Sequence, residues 1–208
     1  MSLAASQPVL IRGPAGILEA AVTRPRGAAR GVALVAHPHP LYGGSMDNKV
    51  VQTLARCFAA MQCVTWRVNF RGVGASEGVY DDGRGELDDF RALAAHAAAD
   101  APGLPLALGG FSFGGYVVSR LCAELAPARV VLVAPAVGRF AVDEVPAHTL
   151  VVHGEADDVV ALADVLAWAR PQKLPVAVVP GAGHFFHGDL GVLQRIVMGS
   201  CPCDSGAP

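Results

Sequence analysis

Short apolar segments, each bounded by Gly or Pro, recur along the chain and indicate buried β-strands. They are rich in Val, Leu and Ala and lack alternation with polar residues, which is the pattern of strands covered on both faces. These segments lie at residues 31–38, 64–70, 105–111, 129–135, 149–154 and 175–181. The N-terminal stretch ILEAAVTRP adds a candidate antiparallel edge strand. The pattern therefore predicts a mostly parallel sheet of about seven strands.

Stretches with a helical spacing of apolar residues separate most of these strands. They lie at about 47–61, 84–99, 113–126, 159–170 and 188–198. Strands that alternate with helices form crossover units, which place helices on both faces of a parallel sheet. The fold class is therefore α/β, with a twisted, mostly parallel sheet flanked by helices. We find no repeat or linker, so residues 1–200 are expected to form a single domain.

Composition and the N-terminal sequence indicate where the protein is located and whether it crosses a membrane. Hydrophobic residues make up 52% of the 208 positions and charged residues 16%. No apolar run approaches the roughly 20 residues that a membrane helix needs. The start MSLAASQPVL lacks the basic and apolar regions of a secretory signal. We therefore expect a cytoplasmic protein with no membrane partner.

Charge and cysteine usage favour a small-molecule partner without a cofactor. The formal net charge is -2 and no block of Lys or Arg is present, which argues against nucleic-acid binding. The five cysteines are scattered and are expected to be free thiols. Cys201 and Cys203 supply too few ligands for a convincing metal site. Residues 201–208 are expected to form a disordered tail.

The octapeptide GGFSFGGY, residues 109–116, places Ser112 where a strand meets a helix. Gly110 and Gly114 complete the pattern G-x-S-x-G, in which glycines allow a turn too tight for neighbouring Cβ atoms. A P-loop would need a lysine where Gly115 stands. A dinucleotide fingerprint beginning at GVG would need a glycine where Glu77 stands. The pattern thus favours a nucleophilic serine over a phosphate-binding loop.

A nucleophilic serine needs a base to accept its proton and an acid to orient that base. Asp157 and Asp158 follow one later strand, and His184 and His187 follow the last. Serine, acid and histidine in this chain order, each at a strand's carboxyl end, is the arrangement of the α/β-hydrolase fold.

Three stretches carry a more specific resemblance along nearly the whole chain. HPHPLYGG follows an early strand, NFRGVGASEG follows the next, and GFSFGG forms the serine turn. With these stretches the chain resembles the α/β-hydrolases, and in particular a small bacterial group without a lid. The serine turn is shared across that superfamily, whereas AHPHPLYGGSMDNKVV is more particular to the group.

The resemblance implies a role for each candidate. Ser112 would be the nucleophile. His184 would be the base, because in the family the base directly follows a turn like GAGH, and His187 would be a surface residue or a helix start. The family pattern G-x-x-D-x-x-V makes Asp157 the acid, whereas Asp158 could cap the following helix.

The oxyanion of an acyl-transfer intermediate needs two N–H donors. The residue after the nucleophile, Phe113, supplies one. In HPHPLYGG the prolines lack an N–H, which leaves His39, Leu41 or Tyr42 for the second. We favour Leu41, with Tyr42 as the alternative. A metal role for His37 and His39 lacks the carboxylate or cysteine ligands that would complete it, so we expect them to support the loop.

The connection between the strands at 129–135 and 149–154 is too short for a helical cap domain, so the site should be open. An open site suits short to medium acyl groups better than a long lipid chain. Candidates for an apolar lining are Tyr42, Phe111, Phe113, Phe185 and Phe186.

These features predict a serine hydrolase that acts on carboxylic esters through an acyl-enzyme. A thioesterase or peptidase would use the same groups. A binding protein without turnover and a cofactor-free oxidoreductase or perhydrolase on the same scaffold are the alternatives from other classes. The oligomeric state and natural substrate do not follow from the sequence.

Overall fold

A computed structural model describes residues 5–200 and shows an eight-stranded sheet. The strands follow the order β1-β2-β4-β3-β5-β6-β7-β8 across the sheet. The β1–β2 and β2–β4 pairs are antiparallel and all the others are parallel. The bounds are β1 Gln7–Gly13, β2 Gly16–Thr23, β3 Gly31–Ala36, β4 Cys63–Val68, β5 Leu106–Phe111, β6 Arg129–Val133, β7 Leu150–Gly154 and β8 Val176–Val179.

Five α-helices cover the two faces of this sheet. They are α1 Lys49–Ala60, α2 Arg84–Asp100, α3 Phe113–Leu125, α4 Leu162–Ala169 and α5 Leu190–Gly199. Buried side chains of α2 and α3 pack on one face, and those of α1 and α5 pack on the other. A smaller cluster packs α4 against β7. The parallel strands therefore have both faces covered, which explains their continuous apolar sequences.

The sheet has a topological switch point at β3, because β4 pairs with one side of this strand and β5 with the other. The connections that leave β3 and β5 therefore diverge, which opens a crevice at the carboxyl ends of the strands. The first of these connections contains a short 3-10 helix, Pro40–Tyr42.

The predicted α/β fold is confirmed, with one strand more than the pattern suggested. The additional strand β1 lies at the edge of the sheet and pairs with β2, so ILEAAVT lies one position inside the edge. Most residues of β1 are partly or fully exposed. Its sequence, QPVLIRG, therefore lacks the apolar run that marks the central strands.

The helix α4 begins at Leu162, later than the predicted start near residue 159. The N–H groups of Val159 and Val160 both donate to Oδ1 of Asp157, at 2.8 Å each. A carboxylate that accepts two consecutive N–H groups holds the backbone in a turn. This turn belongs to the candidate site.

Residues 134–149, which connect β6 to β7, contain no helix and no strand longer than an isolated bridge between Val137 and Phe140. The described chain thus has no cap over the carboxyl ends of β5 to β7, as expected from the length of this connection.

No helix within residues 5–200 combines the length and apolar character needed to span a membrane. The tail expected at 201–208, with Cys201 and Cys203, lies outside the described residues.

Candidate active site

Ser112 occupies a strained turn between β5 and α3. Its backbone has φ 53° and ψ -116°, a conformation that residues with a side chain rarely adopt. A Cβ on Gly110 would collide with the backbone of Gly114, and a Cβ on Gly114 would collide with the carbonyl of Ala36. The two glycines of G-x-S-x-G are therefore required by close backbone approach. Such strain at a single serine indicates a functional position.

A chain of hydrogen bonds links Ser112 to the two candidate partners. Nε2 of His184 lies 3.1 Å from Oγ of Ser112. Nδ1 of His184 lies 2.7 Å from Oδ2 of Asp157. The carboxylate can only accept, so Nδ1 carries the proton and Nε2 is free to accept one from the serine. The structure thus brings together the three residues that the sequence singled out, and leaves Asp158 and His187 exposed.

The side chain of Asp157 is fully buried, yet it is held as a carboxylate. Burial by itself would raise its pKa, but the hydrogen bonds from His184 and from the N–H groups of Val160 and Val159 outweigh it and lower the pKa. The negative charge of Asp157 therefore persists at neutral pH and can stabilise a protonated His184.

Sequence reasoning missed His153, a buried histidine on β7 that lies beside Asp157. Its Nε2 lies 3.0 Å from the carbonyl oxygen of Val160 and 3.5 Å from Oδ2 of Asp157. Its Nδ1 has no hydrogen-bond partner among the described residues. A signal was present in the sequence, because His153 lies four positions before Asp157, near the end of a strand predicted to be buried.

The backbone N–H groups near Ser112 correct one sequence expectation. The N–H of Leu41 donates to Nδ1 of His39 at 3.2 Å, and that of Tyr42 donates to the carbonyl of His39 at 3.1 Å. Both candidate donors are therefore occupied, because the 3-10 turn closes back onto His39. No hydrogen bond from the N–H of His39 itself occurs among the described residues. Phe113 is the first residue of α3, where an N–H has no partner in its own helix.

Both histidines of HPHPLYGG are held by the surrounding loops. His37 is fully buried, its Nδ1 lies 2.6 Å from the carbonyl of Pro38, and its Nε2 accepts the N–H of Phe70 at 3.1 Å. Nε2 of His39 lies 3.0 Å from the hydroxyl of Tyr80. Burial lowers the pKa of both imidazoles, to about 4 for His37. Within residues 5–200, no three His, Cys, Asp or Glu side chains are grouped to share a metal ion.

An open cavity of about 330 Å³ reaches Ser112 and His184. Tyr42 and Phe185 stand at its mouth, where they are 81% and 41% exposed. The other lining residues are Pro38, His39, Gly43, Gly44, Asn48, Phe113, Ala136, Arg139, Phe140 and Val159. Most of this surface is apolar, and it lies at the carboxyl ends of the strands, as expected for an open α/β sheet.

Of the five predicted lining residues, Tyr42, Phe113 and Phe185 line the cavity, and Phe111 and Phe186 do not. Phe111 is the last residue of β5 and is fully buried, with its ring 5.0 Å from that of His184. Its ring packs against His184 and does not line the cavity. Phe186 is fully buried as well. The structure adds Arg139 and Phe140, from the turn after β6, a loop that the sequence placed at the same edge of the sheet.

Residues 29–142 match the family model described as serine aminopeptidase, S33. A solved structure from Xanthomonas campestris, XC6422, is described as an a/b serine hydrolase without lid. It is 38% identical, with a TM-score of 0.88, over 94% of this chain and 93% of that one.

An α/β serine hydrolase homologue from Coxiella burnetii is 36% identical, also with a TM-score of 0.88, over 97% of this chain and all of that one. An uncharacterised protein of Rickettsia prowazekii (strain Madrid E), RP471, is 29% identical over 202 residues, which cover 86% of this chain and 81% of that one.

Proposed function

The chain belongs to the serine aminopeptidase S33 family of α/β hydrolases, and we propose that it hydrolyses carboxylic esters of short to medium acyl chain. The observation that carries this proposal is the hydrogen-bonded series from Asp157 through His184 to Ser112, with distances of 2.7 and 3.1 Å, at the base of an open apolar cavity. Its members are the acid, base and nucleophile of acyl transfer.

In this mechanism, Oγ of Ser112 attacks the ester carbonyl while its proton passes to Nε2 of His184. The oxyanion accepts hydrogen bonds from the N–H of Phe113 and, in place of the Leu41 or Tyr42 donor expected from sequence, from the N–H of His39. As the carbonyl re-forms, the alcohol leaves with the proton from Nε2. Water then attacks the acyl-enzyme by the same route and releases the carboxylic acid.

The shape of the cavity supports an ester of limited length. No cap covers it, and its volume of about 330 Å³ lies at the lower end of the range for small-molecule pockets. A short or medium acyl chain fills such a space, whereas a long chain would extend past Tyr42 and Phe185 into solvent.

The lining also favours an ester over an aminopeptidase substrate. An aminopeptidase must hold the ammonium group at the end of a peptide, and buried or half-buried cations are normally paired with a carboxylate. The residues that line the cavity include no Asp or Glu. This feature distinguishes the proposed activity from the one in the family's description.

The proposal is tested by hydrolysis of p-nitrophenyl esters from acetate to palmitate, beside aminoacyl p-nitroanilides and a thioester of matched acyl length. We expect ester turnover that peaks at short chains and disappears in Ser112→Ala. Ser119→Ala is the matched control, because Ser119 lies on the same helix but does not line the cavity. Its hydroxyl donates to the carbonyl of Tyr116 and accepts the N–H of Asp143. Faster cleavage of anilides or thioesters than of esters would contradict the choice of substrate.

A fluorophosphonate probe tests the class of function separately. An activated serine is labelled rapidly, and we expect labelling of the wild type and of Ser119→Ala but not of Ser112→Ala. An unlabelled wild-type protein would support a binding protein without turnover.

A further inference from the structure

Arg139 is an exposed residue that lines the cavity, and most of the other lining residues are apolar. It follows Gly138, which has a φ of 81°, in the turn after β6. The N–H groups of Arg139 and Phe140 both bond the carbonyl of Ala136, at 3.3 and 3.1 Å. Ala136 is itself bonded through its N–H to the carbonyl of Ser112 at 3.2 Å. The backbone of Arg139 is therefore connected to the nucleophile turn by a short, ordered segment.

The side chain of Arg139 is also held in place. Its Nε donates to the carbonyl of Val159 at 3.1 Å, and Val159 lines the same cavity. This bond uses one of the five N–H donors of the guanidinium and leaves the four on its terminal nitrogens. Because hydrogen bonds already hold the backbone and Nε of Arg139, a ligand that binds the guanidinium would cost less side-chain conformational entropy.

The charge of Arg139 is not neutralised by the protein. Among the described residues, no carboxylate forms an ion pair with it, although Asp164 lies beside Gly138. By contrast, Arg71, Arg91 and Arg120 each pair with an acidic side chain. The cavity lining contains two other side chains that can carry a positive charge, His39 and His184. Nδ1 of His39 accepts the N–H of Leu41, and Nε2 of His184 faces the hydroxyl of Ser112, so both imidazoles are neutral before a substrate reacts.

We propose that Arg139 forms an anion subsite of the cavity, and that the preferred esters carry a carboxylate on the acyl chain, at the end remote from the scissile bond. This inference rests on the proposed ester hydrolysis and names its substrate class. A planar guanidinium with free terminal N–H groups matches a carboxylate in bidentate geometry. The aromatic walls, including Phe113 and Phe140, would contact the apolar carbons between the two ends.

The first test compares p-nitrophenyl monoesters of adipic, pimelic and suberic acid with their isosteric terminal amides, each corrected for spontaneous hydrolysis. The three lengths allow for the span from Ser112 to Arg139. At the best length we expect the acid to exceed its amide by about three- to fivefold in kcat/KM, mainly through KM, because water weakens an ion pair at an exposed side chain. In Arg139→Gln this ratio should fall to about one.

Arg56→Gln removes the same charge from α1, outside the cavity lining, where the guanidinium bonds Gln52, and should keep the wild-type ratio. An acid-to-amide ratio near one in the wild type at all three lengths would overturn the proposal. So would an equal loss of the ratio in both arginine variants, which would indicate a general effect of net charge.

A binding measurement separates this inference from the activity itself. Calorimetric titration of Ser112→Ala with methyl hydrogen adipate and with the corresponding methyl ester amide needs no turnover. Tighter binding of the acid, lost in the double variant Ser112→Ala/Arg139→Gln, supports the subsite even if the ester activity is absent. Equal binding of the acid and the amide contradicts it even if the ester activity is present.

Discussion

Two buried histidines, on loops at the same edge of the sheet, have opposite surroundings. His37 follows β3 and His184 follows β8, and they are 0% and 3% exposed. The ring of His37 faces two backbone groups, the carbonyl of Pro38 and the N–H of Phe70. The ring of His184 faces two side chains, the carboxylate of Asp157 and the hydroxyl of Ser112.

The difference teaches how to distinguish a structural histidine from a reactive one. Backbone groups neither accept nor release a proton at ordinary pH, so His37 is fixed as one neutral tautomer that joins the loops after β3 and β4. A carboxylate stabilises the imidazolium, and a hydroxyl can give up its proton to the ring. His184 therefore has both partners that proton transfer needs, although its burial resembles that of His37.

The largest effect is expected when His184, the proposed base, is removed. His184→Ala should lower kcat for p-nitrophenyl esters by about 10⁶-fold, as the loss of the base in a serine hydrolase does, while the protein stays folded. His187→Ala, which changes an exposed histidine three residues later, is the control and should keep full activity. Steady-state kinetics and circular dichroism measure the two quantities. A loss of less than about tenfold in kcat would refute the assignment of the base.

Asp157→Asn should have the next largest effect, a fall in kcat of about 10⁴-fold, because an amide cannot hold the required tautomer of His184 or stabilise its charge. Asp158→Asn changes the exposed neighbouring carboxylate and should alter kcat by less than about twofold. Similar losses in the two variants would show that the choice of acid from the sequence was mistaken.

His37 should affect stability instead of chemistry. Burial lowers its pKa from 6.5 to about 4. Between these pH values the unfolded chain binds a proton that the folded chain does not. The contribution of neutral His37 to the free energy of unfolding is therefore fully present above pH 6.5 and is lost as the pH falls towards 4. The total decrease by pH 4 is roughly 3 kcal/mol.

Urea titrations of the wild type and of His37→Gln at pH 7 and pH 5 measure this contribution. The glutamine can still accept the N–H of Phe70 but does not titrate, so its midpoint should change less between the two pH values. An equal change in both proteins would show that other groups control the acid sensitivity.

His153 shares a feature with each of these two histidines. Like His37, it faces a backbone carbonyl, that of Val160, and like His184, it lies near the carboxylate of Asp157. We expect it to position the acid. His153→Leu should lower kcat about tenfold with little change in KM, since it frees the turn that holds Asp157. His153→Gln, which can still donate to Val160, should recover most of kcat. Equal kcat in the two variants would indicate that His153 only fills space.

Much of this arrangement follows from the sequence. The central strands are covered on both faces, so their apolar runs identify them directly, whereas the exposed β1 carries no such signal. Parallel strands bring their carboxyl ends to one edge, which placed the candidates Ser112, Asp157 and His184 together. The choice of Asp157 over Asp158 and of His184 over His187 came from the resemblance to α/β-hydrolases. The two glycines of G-x-S-x-G indicate the serine turn.

Only the tertiary structure decided which groups are free to act. Leu41 and Tyr42 have N–H groups that sequence alone could assign to the oxyanion, but the turn closes on His39 and occupies them. Arg139 looks like an ordinary loop arginine until the turn after β6 places it in the cavity without a carboxylate partner. Sequence patterns report which residues are available and roughly where each strand ends. The hydrogen bonds between separate loops depend on differences of a few tenths of an ångström in the distance between donor and acceptor, and only the packing of the folded chain determines these distances.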